Sequence, residues 1–244
     1  MEISRRIPVR GTYNFRDVGG LPAHNGRVRE GVLFRSDGLH RLGEEGRDQL
    51  RRLRVGTVID LRDENEAAIM PDDLMGLDVE VLRLPVFEGS GASQGAGGIS
   101  LDALYHRIVT QHTAVVVGAL REIATAREHS VVVHCTAGKD RTGVVVALAL
   151  SAVGVHRDAV IEDYARTEAN LAGEWLEQMV AMIGRYGIPD TPELRVLMGG
   201  SPPEAIEGML DHVERSHGST REYLLAAGLH LHELASLEQL LITE

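Results

Sequence analysis

The stretch SVVVHCTAGKDRTG, residues 130–143, joins two apolar runs of the chain. Residues 131–133 are consecutive valines and predict a buried strand, while residues 144–150, VVVALAL, predict a buried helix. Backbone N–H groups in such a loop converge on one point, and the N-terminus of the following helix adds partial positive charge. The stretch therefore predicts a strand, a loop that binds an anion such as phosphate, and a helix.

This loop holds the only cysteine of the chain, Cys135, and an arginine six positions later, Arg141. A cysteine is nucleophilic as its thiolate, which a helix N-terminus and the nearby Lys139 and Arg141 stabilise. A guanidinium can bind two phosphate oxygens at once through its planar fork. We expect Cys135 to attack phosphorus, Arg141 to bind the phosphate, and the Thr142 hydroxyl to donate to the sulfur.

Two other interpretations of the stretch agree less well with its residues. A lone cysteine is usually an inert core residue, but Cys135 is in register with a glycine, an arginine and a threonine between a strand and a helix. A nucleotide-binding loop needs Gly-x4-Gly-Lys and then serine or threonine, whereas Lys139 precedes Asp140 and Val133 occupies the first glycine position. The residues favour phosphoryl transfer to a cysteine.

Strands and helices alternate along the chain. Residues 31–34, 55–61 and 79–84 predict strands, and residues 44–53 predict an amphipathic helix. This order predicts an α/β fold, in which helices flank a central, mostly parallel sheet and the site lies at the carboxyl ends of the strands. We expect residues 1–244 to form a single catalytic domain with helical C-terminal additions, because no Pro- or Ser-rich linker divides them. Further helices are predicted at 101–127, 158–171 and 174–186.

Four other segments extend the pattern: NFRDVGG at 14–20, LFRSD at 33–37, VIDLRDENE at 58–66 and GSTREYL at 218–224. Together with the loop, they resemble the atypical bacterial protein tyrosine phosphatases of the mycobacterial phosphatase B type, a branch of the Cys-x5-Arg superfamily. The resemblance implies a tyrosine-phosphatase-like fold, a phosphocysteine intermediate on Cys135 and hydrolysis without a cofactor or metal. The other residues expected around the phosphate are Thr136, Ala137, Gly138, Lys139 and Thr142.

The leaving oxygen needs a proton, which a carboxylic acid within hydrogen-bond reach supplies. Conventional members of the superfamily carry this acid as an aspartate on a mobile loop, but the corresponding residues 84–89 contain Glu88 and no aspartate. In the resembling branch, an aspartate inside the phosphate loop has this role, and it corresponds to Asp140. We take Asp140 as the general acid, with Glu88 as the alternative and Asp37 and Asp63 as further candidates.

Lys139 bears on the choice of substrate. A lysine inside the loop also occurs in phosphoinositide phosphatases, where it meets a second phosphate; the other interpretation is a solvated loop charge. We expect a phosphotyrosine protein as substrate, with phosphoserine, phosphothreonine and phosphoinositides as runners-up. Two other classes stay open, a sulfurtransferase or arsenate reductase with a reactive cysteine in an anion-binding loop, and a phosphate-binding module without catalysis.

Composition narrows the partners and the compartment. A formal net charge of -11 argues against nucleic-acid binding and against attraction to anionic membranes. One cysteine indicates a reducing compartment, and no signal peptide or membrane span is evident, so we expect a cytoplasmic protein, with non-classical secretion left open. The histidine spacings predict no metal site. Residues 88–100 are rich in glycine and predict a lid or a plain loop; no feature indicates an oligomeric state.

Overall fold

The computed structural model describes residues 6–87, 100–126 and 128–244 of the chain. Its main sheet has five strands, which lie in the order 1-4-7-5-6 when all strands are numbered along the chain. Strand 1 is antiparallel to strand 4, and the other neighbouring strands are parallel. A second, three-stranded sheet is antiparallel. The strands are β1 (Arg16–Asp17), β2 (Pro22–Ala23), β3 (Gly26–Val28), β4 (Leu33–Ser36), β5 (Val55–Asp60), β6 (Glu80–Arg83), β7 (Ser130–His134) and β8 (Ile242–Thr243).

Helices cover both faces of the main sheet. In the described residues they are α1 (Gly43–Arg52), α2 (Glu64–Ile69), α3 (Leu101–Gln111), α4 (Thr113–Thr125), α5 (Asp140–Ala152), α6 (Arg157–Leu171), α7 (Glu174–Gly184), α8 (Pro192–Gly199), α9 (Pro203–His217), α10 (Thr220–Ala226) and α11 (Leu231–Leu241). The predicted α/β class with a mostly parallel sheet is confirmed.

The side chains of the central strands alternate between two apolar layers. Phe34, Val58 and Val132 lie side by side in register and belong to the layer that includes α1. Val131 and Val133 point the other way, into the layer formed with α3, α4, α5 and α9. Helix α5 is buried along nearly its whole length, as its apolar run at 144–150 requires. The central strands are thus buried on both faces, which explains the consecutive valines of β7.

The helical pattern predicted at 101–127 is confirmed in the described residues, apart from one break. It forms two helices, α3 and α4, because the backbone leaves the helical region at His112, with φ of -117° and ψ of 26°. The ring of His112 lies edge-on against Phe87, with 5.2 Å between the ring centroids. Arg127 lies outside the described residues. The helices predicted at 158–171 and 174–186 are confirmed as α6 and α7.

The topology brings distant parts of the chain to one edge of the main sheet. Strands β4, β5 and β7 are parallel neighbours, and they end at Ser36, Asp60 and His134. Because functional sites of parallel sheets lie beyond the carboxyl ends of the strands, this edge is where the predicted loop should act.

Candidate active site

The anion-binding loop occupies residues 135–139, between β7 and α5. Cys135 is buried at its start, with 2% of its surface exposed. Helix α5 begins at Asp140, earlier than the sequence pattern predicts, so the last part of the signature is already helical. Gly138 has a φ of +65°, and a Cβ atom there would lie 2.2 Å from the carbonyl oxygen of Ser36. Only glycine can therefore form this turn without displacing β4.

Side chains from the N-terminal part of the chain hold the outer side of this loop. Asn14 Nδ2 donates to the carbonyl oxygens of Ala137 at 3.0 Å and Gly138 at 3.2 Å. Arg35 Nη2 donates to the same Gly138 oxygen at 2.7 Å. In the part of the chain that the structure describes, the backbone N–H groups of residues 136–139 have no acceptor. The loop therefore offers the unpaired donors that an anion site requires.

Asp163 of α6 anchors the arginines beneath the loop. Its carboxylate accepts from Arg16 Nε at 3.0 Å and from Arg35 Nη1 at 2.7 Å, and all three side chains are at most 2% exposed. Burial alone would raise the pKa of Asp163, but the two guanidinium groups lower it to about 2. Sequence reasoning missed this residue, since nothing near it in the chain distinguishes it from other helical acids.

Arg141 is fixed by Glu66 of α2. Arg141 Nη2 lies 2.8 Å from Glu66 Oε1, and Nη1 bonds the other carboxylate oxygen; Thr136 Oγ1 also donates to Oε1 at 2.8 Å. Burial works against a charged Glu66, but the hydrogen bonds and charge of Arg141 outweigh it and lower the pKa of Glu66 to about 2. Since a guanidinium has further N–H groups, the remaining ones are left for a phosphate.

Glu66 is in turn placed by the start of its own helix. Asp63 caps α2 by accepting from the N–H groups of Asn65 at 2.8 Å and Glu66 at 2.9 Å, and Glu66 Oε2 accepts from the Asp63 N–H at 3.2 Å. This is a capping box, in which an acid three residues after the cap returns its hydrogen bond. The spacing Asp-x-x-Glu is visible in the sequence and could have identified Glu66 as a fixed acid.

Behind the cysteine lies a buried ion-pair cluster. Nε2 of His134 is 3.2 Å from Asp72 Oδ2 and 3.7 Å from Asp60 Oδ1, and Arg62 bonds both carboxylates at 2.8 and 2.9 Å. Burial disfavours a charged imidazole, but Asp72 and Asp60 outweigh it and raise the pKa of His134. Of the described residues, Asp60, Asp72 and His134 are the group whose ligand atoms are close enough for a metal ion. Because Arg62 already bonds both carboxylates and places a cation beside them, the donor set does not suit a metal ion.

The further candidate acids Asp37 and Asp63 have structural partners. Asp37 accepts from the backbone N–H groups of Tyr13 at 3.0 Å and Asn14 at 2.8 Å, and it is 2% exposed. Burial raises the pKa of Asp37 to about 6, although these N–H groups oppose the shift. Asp63 caps α2. Glu88 lies outside the described residues, as does the glycine-rich segment 88–99.

Lys139, the only lysine of the chain, is fully buried. Its ammonium donates to the carbonyl oxygens of Leu197 at 2.6 Å and Gly200 at 2.9 Å. The ammonium also lies 3.5 Å from the carbonyl oxygen of Val196 and 3.4 Å from Asp140 Oδ1. The three carbonyl groups lie at the C-terminal end of α8, where a helix leaves acceptors without intrahelical donors; of the three, Val196 O also accepts from the Gly200 N–H at 2.9 Å. The interpretation of Lys139 as a solvated loop charge is therefore wrong; the residue joins the loop to α8.

Lys139→Met is expected to lower the free energy of unfolding by on the order of 2–4 kcal/mol, because the carbonyl oxygens of Leu197 and Gly200 lose their donor inside the protein. Equilibrium denaturation in guanidinium chloride measures the change. Arg52→Met, which removes an exposed cation from α1, is the control and is expected to stay within about 0.5 kcal/mol of the wild type. A loss no larger than that of the control would contradict a structural role for the ammonium.

Asp140 and Thr142 stand on the first turn of α5. The Asp140 side chain is 22% exposed, and its Oδ1 accepts from the hydroxyl of Tyr105 at 2.7 Å. The Thr142 hydroxyl is buried and has no hydrogen-bond partner within the described ranges. The hydrogen bond predicted from Thr142 to the cysteine sulfur is thus not formed in this structure.

A cysteine and an arginine at the two ends of a cradle of N–H groups, beyond the edge of a parallel sheet, define the class of cysteine-based phosphatases. The sequence of residues 7–243 matches the family model that describes the tyrosine phosphatase family. The chain therefore belongs to the tyrosine phosphatase family, as the resemblance of its motifs implies.

Two relatives agree with this membership. In an alignment 269 positions long, the chain is 32% identical to the triple specificity protein phosphatase PtpB of Mycobacterium tuberculosis; the alignment covers 92% of this chain and 94% of that protein. It is 27% identical to a protein of Cupriavidus necator assigned as a tyrosine-protein phosphatase, covering 86% and 80%. The crystal structure of TpbA from P. aeruginosa in complex with pTyr has 20% identity and a TM-score of 0.38, covering 73% of this chain and 98% of that one.

No helix in the described ranges has the length and apolar character needed to span a membrane.

Proposed function

We propose that this chain hydrolyses phosphotyrosine in proteins through a cysteinyl-phosphate intermediate. Cys135 attacks phosphorus, so that an S–P bond forms while the P–O bond to the substrate breaks, and Arg141 and the loop N–H groups bind the phosphoryl oxygens. Water then cleaves the S–P bond and releases phosphate. The loop is the observation that supports this most: a buried cysteine, unpaired N–H groups, and an arginine whose fork is held by Glu66.

Asp140 is the proposed general acid. It opens the helix that follows the loop, one position before Arg141. A hydrogen bond from Tyr105 orients its partly exposed carboxyl, and the Lys139 ammonium lies 3.4 Å from the same oxygen. Asp37 is less suited, because backbone N–H groups already use both of its oxygens. Asp63 is less suited because its Oδ1 caps α2 and its Oδ2 is buried. Glu88 stays the alternative acid.

Phosphotyrosine is the preferred substrate class. The relative from Mycobacterium tuberculosis is named for more than one specificity, so phosphoserine, phosphothreonine and phosphoinositides stay as runners-up. The position of Lys139 lends phosphoinositides less support, because carbonyl oxygens of α8 surround the ammonium that would meet a second phosphate.

The remaining features of the proposal concern the whole chain. One catalytic domain over 1–244 is supported by β8, which pairs with β3, and by an apolar layer with members from Val18 to Leu241. A thiolate nucleophile needs a reducing compartment, which favours the cytoplasm. The proposed reaction requires no cofactor, and a net charge of -11 disfavours nucleic acid as a partner.

Asp140→Asn is expected to lower kcat by about 100-fold for phenyl phosphate and phosphotyrosine peptide, since general acid catalysis contributes about 10²–10⁴-fold. It should change kcat little for p-nitrophenyl phosphate, whose leaving group needs no proton. Steady-state rates over a series of aryl phosphates of increasing leaving-group basicity, without added metal, measure the difference. Glu88→Gln is the parallel variant.

Each outcome of this series separates two assignments. A loss that grows with leaving-group basicity in Asp140→Asn alone supports Asp140, and the same behaviour in Glu88→Gln alone transfers the role to Glu88. Wild-type protein that hydrolyses neither phosphotyrosine and phosphothreonine peptides nor phosphatidylinositol monophosphates would contradict the proposal. Sulfurtransferase or arsenate reductase activity, or phosphate binding without turnover, would then be tested.

A further inference from the structure

Two buried tyrosines form a hydrogen-bonded chain that ends on Asp140. Tyr105 Oη donates to Asp140 Oδ1 at 2.7 Å, and it lies 2.6 Å from Tyr164 Oη. A hydroxyl has one hydrogen, so Tyr105 gives its own to Asp140 and Tyr164 must be the donor to Tyr105. Both tyrosines are fully buried. The chain thus has a fixed direction, from Tyr164 through Tyr105 to the carboxyl group.

Three helices meet at this chain, and their packing holds it rigid. Tyr105 lies on α3, Tyr164 on α6 and Asp140 on α5. The two rings are nearly perpendicular, at 88°, with 6.0 Å between their centroids. Tyr164 also packs against the loop helix at Gly143, where an added Cβ would lie 3.0 Å from the ring. Neither hydroxyl can leave its position without repacking these helices.

We infer that Tyr105, supported by Tyr164, is a positioning residue for Asp140 in proton transfer to the leaving group. The inference deepens the proposed function and rests on Asp140 as the acid. Tyr105 occupies Oδ1, and within the described residues Oδ2 has no hydrogen-bond partner. In the first step the proton passes from Oδ2 to the leaving oxygen, and in the second the Asp140 carboxylate takes a proton from the attacking water.

Both tyrosines stay protonated and so remain donors throughout the reaction. Burial, reinforced by the charge of Asp140, raises the pKa of Tyr105 well above its usual value and also raises that of Tyr164. The ionic groups around the chain are Lys139 and Arg141 beside Asp140, and Arg35 and Glu168 near Tyr164.

The hydrogen bond from Tyr105 has a predictable effect on the pH profile. A donor stabilises an ionised carboxylate more than a protonated carboxylic acid, so the loss of the Tyr105 hydroxyl favours the protonated form of the general acid. The general acid acts in its protonated form, and its ionisation gives the alkaline limb of kcat. Without the Tyr105 hydroxyl, that limb should therefore move to higher pH, while kcat falls because the carboxyl is no longer held in one orientation.

The test compares Tyr105→Phe with the wild type on phenyl phosphate and p-nitrophenyl phosphate across the pH range. We expect kcat for phenyl phosphate to fall by about 10-fold at the optimum, and the alkaline limb to move to higher pH. The rate on p-nitrophenyl phosphate should change little. Combined with Asp140→Asn, Tyr105→Phe should add no further loss, because both variants remove the same function.

Tyr223→Phe is the matched control. Tyr223 is also buried, its pKa is raised by burial to about 12, and its hydroxyl donates at 2.9 Å to Val109 O on α3, the helix that carries Tyr105. Its loss should lower stability as Tyr105→Phe does but leave the pH profile unchanged. If Tyr105→Phe does not fold, Tyr164→Phe replaces it, with a smaller shift expected in the same direction.

The outcomes distinguish the two levels of the proposal. If Asp140→Asn leaves phenyl phosphate hydrolysis intact, the assignment of the acid fails and the positioning role fails with it. If Asp140→Asn loses activity but Tyr105→Phe, or Tyr164→Phe in its place, has the profile of Tyr223→Phe, only the positioning role is overturned. An upward shift of the limb confined to the two chain tyrosines supports it.

Discussion

Cys135→Ser is expected to abolish hydrolysis of a phosphotyrosine peptide, lowering kcat on the order of 10⁴-fold or more. A serine hydroxyl keeps the size of the side chain but does not ionise near neutral pH, so no nucleophile remains to form the bond to phosphorus. The loop N–H groups and Arg141 are untouched by the change. We therefore expect the variant to bind the phosphotyrosine peptide with nearly unchanged affinity while releasing no phosphate.

Single-turnover experiments with radiolabelled phosphopeptide measure both parts of this expectation. Acid-quenched wild-type protein should carry one labelled phosphate on its single thiol, and Cys135→Ser should carry none. Because the chain has one cysteine, alkylation with iodoacetamide gives an independent assay of the same atom. Ser130→Ala, a change in β7 remote from the loop, is the control for folding and should turn over normally. Sustained turnover by Cys135→Ser would overturn the proposed mechanism.

The features that could be predicted from the sequence are those encoded locally. The valines of β7, the glycine at 138 and the spacing from Cys135 to Arg141 lie within one short stretch, and their types determine strand, turn and helix. The parallel sheet follows from the alternation of strands and helices. These signals survive because hydrophobic period and turn chemistry act over a few residues.

The partners of the loop could not be predicted, because they come from distant parts of the chain. Glu66 is 75 positions from Arg141, and Asn14 is 123 positions from Ala137. Tyr105 meets Asp140 because α3 packs beside α5, which no local pattern encodes. These partners are an acid, an amide and a tyrosine, which are common residue types. Only their positions in the fold distinguish them from other residues of the same type.

Lys139 illustrates the limit of reasoning from residue type. A lysine in a phosphate loop suggests contact with phosphate, but the chain satisfies its ammonium with the carbonyl groups of α8. The end of α8 leaves acceptors without donors, and a buried cation is the strongest donor available to them. Which of the two partners a lysine meets depends on the packing of a helix about sixty positions away.

Arg141→Lys is expected to lower kcat/KM for phosphotyrosine peptide by about 10³-fold, through both a lower kcat and a higher KM. A lysine keeps the charge but loses the planar fork, so it cannot contact Glu66 and two phosphate oxygens with fixed geometry. Steady-state kinetics, together with the inhibition constant for inorganic phosphate, separate binding from turnover. Arg41→Lys, an exposed arginine bonded to Gln178, is the matched control and should behave as wild type. A loss below about 10-fold would show that charge alone suffices.

Glu66→Gln tests whether the fork must also be held. Glutamine keeps one acceptor oxygen but removes a negative charge beside Arg141, so the site becomes more positive and should bind inorganic phosphate at least as tightly. Turnover should nevertheless fall, because the guanidinium loses its bidentate partner and Thr136 loses its ionised acceptor.

The pKa of Glu66 is about 2 against an ordinary 4.5, so its contribution to stability is complete above pH 4.5 and is lost as the pH falls toward 2. Glu66→Gln should therefore flatten the loss of stability in that window. Phosphate binding that weakens in parallel with kcat would mean instead that Glu66 serves the phosphate loop only as a structural support.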